Sequence, residues 1–222
     1  VNMVFNGKKC TNLSEVIREV PGISLKGISK EFPWPGGRCG WMEVYNQASN
    51  PMFQKYVKSV LDAKMLEVCS TTLPQVVIPR IMGNPEYVNW QKQRNAFFEK
   101  RSKRIAEILS GIPEIIVNPP DGAFYVSIVF KKELNNRMKL NIPNAAVREY
   151  IDGICSGNME PDRRFVYHLL ASRNICVVPL TSFVCTLQGF RCTLLERDDA
   201  KFEEIYHGVR DAILEFLNSA SL

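Results

Sequence analysis

The amino-acid sequence predicts an α/β protein in two parts that are joined by a long helix. Short apolar segments of strand length alternate with segments of helical periodicity along the chain. The longest helical pattern covers residues 86–109, and Gly111 ends it. Beyond this glycine the chain forms stronger strand patterns, as at 123–130, where β-branched and aromatic residues dominate. The predicted parts are residues 1–84, a connecting helix at 85–111, and an α+β module at 112–222.

Turn and cap residues divide the first part into short elements. Asn6-Gly7 is a turn signal and Pro21-Gly22 is a helix stop. Residues 31–40 contain two prolines and three glycines, so we predict a loop there. Pro51 suits the first turn of a helix, and Gly83-Asn84-Pro85 breaks one. The predicted elements are a strand end at 1–5, a helix at 13–20, strands at 23–28 and 41–45, and helices at 50–66 and 71–82.

Periodicity divides the rest of the chain in the same way. The connecting helix places Trp90, Phe98 and Ile105 along one side, opposite charged residues. The polar break at 156–162 separates two helices of the module. The predicted elements after Gly111 are strands at 115–117 and 123–130, helices at 145–154 and 163–172, strands at 176–179 and 190–195, and a closing helix at 198–217.

Composition is that of an ordinary folded protein. The chain has 222 residues, 45% of them apolar, and 28 Lys and Arg against 23 Asp and Glu, a net charge of +5. No apolar run approaches the ~18 residues that a membrane span needs. The densest basic stretch, residues 100–104, lies inside a helical pattern and is expected to be a solvated helix face. We therefore predict no membrane partner and no nucleic-acid partner.

The cysteines and histidines further restrict the kinds of site that the sequence can form. The seven cysteines are an odd number, and no two of them form a C-x-x-C pair. We expect them to be reduced and mostly buried, as in a cytoplasmic protein. The two histidines, His168 and His207, have no second histidine or cysteine four residues further on. The sequence therefore predicts no metal site and disfavours a Ser-His-Asp triad.

The residues with the clearest chemical potential are Lys30 and Arg38. Lys30 is predicted at the end of an apolar strand, where partial desolvation would make its amine a better Schiff-base nucleophile. Arg38 lies in Gly37-Arg38-Cys39-Gly40, where backbone amides and a guanidinium can approach a phosphate closely. From spacing alone, a surface lysine before a loop and an arginine in a salt bridge fit as well.

This segment resembles the cofactor-binding signature of the class I/II aminotransferases, the fold type I enzymes that use pyridoxal 5′-phosphate (PLP). The resemblance implies that Lys30 carries the cofactor and shuttles protons, and that Arg38 binds its phosphate. One position departs from the family pattern. The serine that often stands three residues before the lysine, where it helps to hold the phosphate, is Gly27 here.

Further segments resemble the same family in the same order. They include the segment 71–75, the long helix, the strand opening at 119–125, and the helix and strand at 165–179. Residues 189–194 resemble the family's Arg-φ-Ser/Thr motif, which implies that Arg191 binds the α-carboxylate of the substrate through two parallel hydrogen bonds. The alternative for Arg191 is a structural pair with a nearby acid such as Glu196.

The resemblance implies the C-terminal half of such an enzyme. We expect residues 1–84 to be the end of the large PLP-binding domain and its sheet, and 112–222 to be the small domain. The family's Asp-x-x-Tyr motif normally lies just before a segment like Val1 to Lys8, and it is not in this chain. We therefore expect the isolated chain to turn over little. By the same resemblance, the parent is a homodimer that exchanges an amino group between an amino acid and a 2-oxo acid in amino acid metabolism.

Two alternatives remain open at this point. A PLP-dependent lyase or decarboxylase of the same fold, such as a carbon–sulfur lyase or a cyclopropane-carboxylate synthase, would use the same lysine and arginines. The chain alone would also fit a non-catalytic fragment or binding module with the small-domain fold.

Overall fold

The computed structural model describes residues 3–219. They fall into two compact units, which divide inside the long helix between Ala96 and Phe97. The strand end predicted at 1–5 lies partly outside the described residues. Within them, Val4 forms an isolated β-bridge, and Met3 and Phe5 are buried.

The first unit contains a two-stranded antiparallel hairpin and several helices. Strands β1 and β2 pair along their whole length, from Gly22 opposite Tyr45 to Gly27 opposite Gly40. The side chain of Asn50 accepts hydrogen bonds from two backbone amides in the first turn of the helix that follows, so the predicted start at Pro51 is well capped. The elements are α1 (Leu13–Val16), β1 (Gly22–Gly27), α2 (Ile28–Glu31), β2 (Gly40–Tyr45), α3 (Pro51–Lys64), α4 (Thr72–Met82) and the first half of α5 (Tyr87–Ile108).

Helix α1 is shorter than the sequence predicts. It was expected to extend to residue 20, yet it ends at Val16. Arg18 adopts a left-handed conformation with φ of 51°, which a continuous right-handed helix does not allow.

The second unit packs helices against a four-stranded antiparallel sheet. The strand order is β3-β4-β6-β5, so β6 lies between β4 and β5. Every element predicted for this part is present, with ends shifted by a few residues. The elements are the second half of α5, β3 (Ile115–Asn118), β4 (Tyr125–Phe130), α6 (Ala145–Cys155), α7 (Pro161–Arg173), β5 (Val178–Pro179), β6 (Gly189–Thr193) and α8 (Asp199–Asn218).

Aromatic rings form the centre of this unit. Phe165 of α7 lies 5.1 Å from Phe190 of β6 and 5.1 Å from Phe216 of α8, measured between ring centroids. All three side chains are fully buried. Strand β4 alternates between buried and half-buried residues, so one face of the sheet meets this core and the other is open. Arg191, on β6, belongs to the open face.

The cysteines are free, as the sequence predicts, but most of them are not core residues. Only Cys155 and Cys192 are buried, whereas Cys69 and Cys176 are exposed and the other three are half-buried. The expectation failed because apolar sequence neighbours do not determine which side of an element faces the core. Burial raises the pKa of the Cys192 thiol to about 12.

We predict that Cys192 resists alkylation in the folded chain. With a pKa of about 12, only about one in ten thousand molecules would carry the thiolate at pH 8, and the residue is buried as well. Iodoacetamide treatment and peptide mass spectrometry should show Cys69 and Cys176 modified long before Cys192. The same reaction in urea is the control, where the cysteines should react alike. Equal rates for Cys192 and Cys69 in the native chain would contradict the buried position of β6.

Candidate functional site

Lys30 lies in a helical turn directly after strand β1. The sequence predicted it at the strand end with a partly desolvated amine, but β1 ends at Gly27 and the Lys30 side chain is exposed. The reason is the backbone pairing of Ile28. Its amide donates to the carbonyl of Cys39 (3.2 Å), and its own carbonyl accepts from the amides of Phe32 (3.2 Å) and Trp34 (3.4 Å). The chain therefore curls at Ile28 instead of extending.

Arg38 lies at the other end of the same connection, just before β2. It follows a short 3₁₀ turn, Pro35–Gly37, and adopts a left-handed conformation with φ of 46°. Its side chain is exposed, and its Nη1 donates to the carbonyl of Pro35 at 3.2 Å. Left-handed backbone is unfavourable for a residue with a side chain, and such strain is often found at functional sites.

The glycines on either side of Arg38 are required by space. A Cβ at Gly37 would lie 2.8 Å from both the Ile28 side chain and the Trp34 ring. A Cβ at Gly40 would lie 2.7 Å from the carbonyl oxygen of Lys26 on the paired strand. Gly27, the position where the family often has serine, is different, because a Cβ there meets nothing within 4 Å.

A groove of about 540 Å³ opens beside Arg38 within the first unit. Residues 38–41 form one wall, and the other includes Thr71 and the residues of α4. The hydroxyl of Thr71 donates to the carbonyl of Arg38 at 3.2 Å, which links the segment 71–75 to the Arg38 loop. Trp41 also lines the groove.

A polar cluster stiffens the hairpin below this loop. The carboxylate of Glu43 accepts hydrogen bonds from the Tyr45 hydroxyl (2.7 Å) and the Trp41 indole (3.2 Å), and Lys26 lies 3.8 Å away. The Tyr45 bond lowers the pKa of the Glu43 carboxyl and raises the pKa of Tyr45. Trp41, Glu43 and Tyr45 all belong to β2, and the ion pair with Lys26 joins this cluster to β1.

Arg191 lies on β6, one of the two inner strands of the sheet, opposite Ser127 of β4 and Val178 of β5. Its guanidinium carbon lies 4.4 Å from the centre of the Tyr125 ring and 3.9 Å from that of Phe183. Within residues 3–219 it has no acidic partner. Glu196, the alternative partner, instead bonds the backbone amide of Asp198 (3.0 Å) and Lys201 (3.5 Å). The structural pair considered for Arg191 is therefore not formed.

A buried carboxylate fixes the segment that leads to Arg191. Asp162, near the start of α7, is fully buried. It accepts hydrogen bonds from the hydroxyl of Thr181 (2.7 Å), the amide of Thr181 (3.1 Å) and the amide of Gly189 (3.4 Å). These bonds bracket the segment that carries Phe183 and enters β6. Sequence reasoning missed Asp162 because it sits in a polar break, which is typical of a simple helix start.

The basic stretch at 100–104 is neutralised within the second unit. Lys100 and Arg101 pair with Asp199 at 3.2 and 2.8 Å, and Arg104 binds Glu203 at 2.7 Å. Lys103 pairs with Glu99 on the same helix. Arg101 and Ser102 are buried, so only part of this stretch is the solvated helix face that the sequence predicts.

His168 and the acidic side chains do not form a metal site within the described residues. Residues 3–219 contain no group of three or more His, Cys, Asp and Glu side chains that could hold a metal ion. His168 is buried, and its Nδ1 accepts from the amide of Leu140 at 3.2 Å. Burial lowers the pKa of His168. Over the same residues, no helix has both the length and the apolar character that a bilayer span requires.

The sequence matches one protein family over most of its length. The sequence profile of the family described as aminotransferase class I and II matches residues 1–208. An uncharacterized aminotransferase of Methanocaldococcus jannaschii is 52% identical over 219 residues, which are 98% of this chain and 50% of that protein. The chain thus spans about half the length of this relative.

Solved structures show the same fold. The aspartate aminotransferase from Rhizobium meliloti superposes with a TM-score of 0.72 at 18% identity, over 96% of this chain and 48% of that one. The alanine aminotransferase from Pyrococcus furiosus gives 0.71 at 19% identity, over 96% and 47%. The predicted fold class, part of a fold type I transferase, is confirmed.

Proposed function

Because the chain belongs to the class I and II aminotransferases, we propose that it is part of a PLP-dependent enzyme. The reaction is the exchange of an amino group between an amino acid and a 2-oxo acid. Lys30 binds the cofactor, Arg38 binds its phosphate, and Arg191 binds the α-carboxylate of the substrate. PLP, when bound, supplies an electron sink for the charge that develops at the substrate Cα.

The observation that carries this proposal is the placement of Lys30 and Arg38. One connection, residues 28–39, presents both side chains to solvent at the same end of the hairpin. PLP carries an aldehyde and a phosphate. A lysine amine can form a Schiff base with the aldehyde, and a guanidinium can bind the phosphate. Arg38 has no acidic partner among the described residues, so its charge is available to an anion. The residues present therefore fit PLP.

Lys30 and Arg191 have different roles toward the substrate. The Nζ of Lys30 would hold the cofactor and afterwards, as a free amine, accept the proton that leaves the substrate Cα. Arg191 orients the substrate through its carboxylate. The guanidinium carbon lies over the rings of Tyr125 and Phe183, and the N–H donors of the group would bind the carboxylate.

We predict that PLP labels Lys30 selectively. Purified chain would be treated with PLP and then borohydride, which makes the link to lysine permanent, and the labelled peptide would be mapped by mass spectrometry. Label should concentrate on Lys30 and disappear in Lys30→Ala. Lys55→Ala, which removes an exposed lysine of α3, should leave the labelling unchanged. Label spread evenly over exposed lysines, in this chain and in a polypeptide that also carries the preceding half of the fold, would contradict the proposal.

We also predict that Gly27→Ser strengthens cofactor binding. Gly27 has an extended backbone with φ of −149°, and a Cβ there meets open space, so serine should fit without strain. One added hydrogen bond to phosphate should tighten the Kd for PLP by about three- to tenfold. Absorbance titration would measure the Kd. Gly27→Ala, which adds the Cβ without the hydroxyl, is the matched control, and an equal gain for alanine would argue against a phosphate contact.

A final prediction concerns turnover and assembly. We expect residues 1–222 alone to turn over little, and the polypeptide with the preceding half of the fold to transaminate as a cytoplasmic homodimer. Met65, Leu66 and Val68 support an interface, since they are 82%, 82% and 91% exposed. Stopped-flow spectra with an amino acid should show the pyridoxamine form accumulating, and sedimentation should show a dimer. Consumption of the amino acid without that form would favour a lyase instead.

A further inference from the structure

The first half of helix α5 makes a closed ring of contacts with the turn that carries Lys30. Tyr87, Trp90 and Arg94 occupy one face of the helix at spacings of three and four residues. Phe32 stacks on Tyr87 with 5.7 Å between ring centroids and 5° between planes. Tyr87 stacks on Trp90 at 5.9 Å and 16°. The guanidinium carbon of Arg94 lies 4.8 Å from the centre of the Trp90 ring.

Arg94 closes this ring with a hydrogen bond. Its Nη1 donates to the backbone carbonyl of Glu31 at 2.7 Å, across 63 residues of sequence. Glu31 follows Lys30 and is the last residue of α2. Carbonyls at a helix end lack intrahelical partners, and a cationic donor there forms a stronger bond than a neutral one. Phe32, the next residue, is held by its stack on Tyr87, so both residues after Lys30 are tied to α5.

We propose that Arg94 is a positioning residue for Lys30. It holds the end of the Lys30 turn, and Tyr87 and Trp90 form the surface on which the turn and the guanidinium rest. The assignment of a cofactor to Lys30 rests on the proposed function, whereas the mechanical role of Arg94 does not.

The chemistry of Arg94 suits this role. Its Nε and Nη2 donate to the Asn95 side chain at 3.2 and 3.1 Å, which leaves Nη1 directed at Glu31. The side chain is half-buried. A planar guanidinium can stack on Trp90 and donate in its plane at the same time, and a lysine ammonium cannot. Arg94→Lys should therefore retain the charge and recover only part of the effect.

Hydrogen exchange of the intact chain tests the mechanical role without cofactor. The amides of Phe32 and Trp34 report on the turn, because both donate to the carbonyl of Ile28. In Arg94→Met they should exchange about tenfold faster or more. The amide of Gln54 in α3, which donates to the carbonyl of Asn50, is the internal reference and should not change. Arg80→Met, which removes an exposed arginine of α4, is the matched control.

Competitive labelling tests the consequence at Lys30. The ratio of PLP–borohydride label on Lys30 to label on Lys55 within one molecule should fall about tenfold in Arg94→Met and partly recover in Arg94→Lys. General destabilisation would change both lysines and leave this ratio unaltered. Unchanged exchange at Phe32 and Trp34 relative to Gln54 would overturn the positioning role. If wild-type Lys30 shows no selective label, the proposed function fails, and the exchange experiment still decides the role of Arg94.

Discussion

One backbone hydrogen bond, from the amide of Ile28 to the carbonyl of Cys39 (3.2 Å), determines how the first unit presents its chemistry. It closes the β1–β2 hairpin just beyond the Gly27–Gly40 pair, so every residue between 28 and 39 must belong to one connection. The carbonyl of Ile28 then bends the chain into the Lys30 turn. Because the Ile28 side chain is fully buried and lies against the site of Gly37, the turn and the Arg38 loop share one support.

In the second unit, a side chain fixes the segment next to the candidate residue, where the first unit uses a backbone hydrogen bond. The carboxylate of Asp162 gathers donors from Thr181 and Gly189, so the segment between them is fixed at both ends. A buried carboxylate is unfavourable unless such donors satisfy it, and this makes the arrangement specific. Because this segment is fixed, Phe183 is held against the guanidinium of Arg191.

Signals within each segment predicted most helices well. The geometry of the candidate site was harder to predict, because it depends on contacts between residues that are far apart in the sequence. Helix α3 was predicted at 50–66 and spans Pro51–Lys64, because a proline, a cap and a strong period lie within its own sequence. The contacts that organise the candidate site join distant positions, such as Arg94 with Glu31, 63 residues apart. Periodicity carries no information about such pairs. Lys30, Arg38 and Arg191 were chosen because their motifs resemble a family, and the helical turn at Lys30 escaped prediction because backbone pairing with residue 39 creates it.

The partners of each arginine indicate whether it stabilises the fold or can bind an anionic ligand. Arg101 is buried and pairs with Asp199 at 2.8 Å, so an anionic ligand would have to displace a carboxylate to reach it. Arg38 bonds only a carbonyl among the described residues, and Arg191 rests on two rings. Aromatic and carbonyl contacts restrict a guanidinium without cancelling its charge. An arginine held in this way has already lost part of its freedom before a ligand arrives, so a carboxylate or phosphate gains the full charge at a smaller entropic cost.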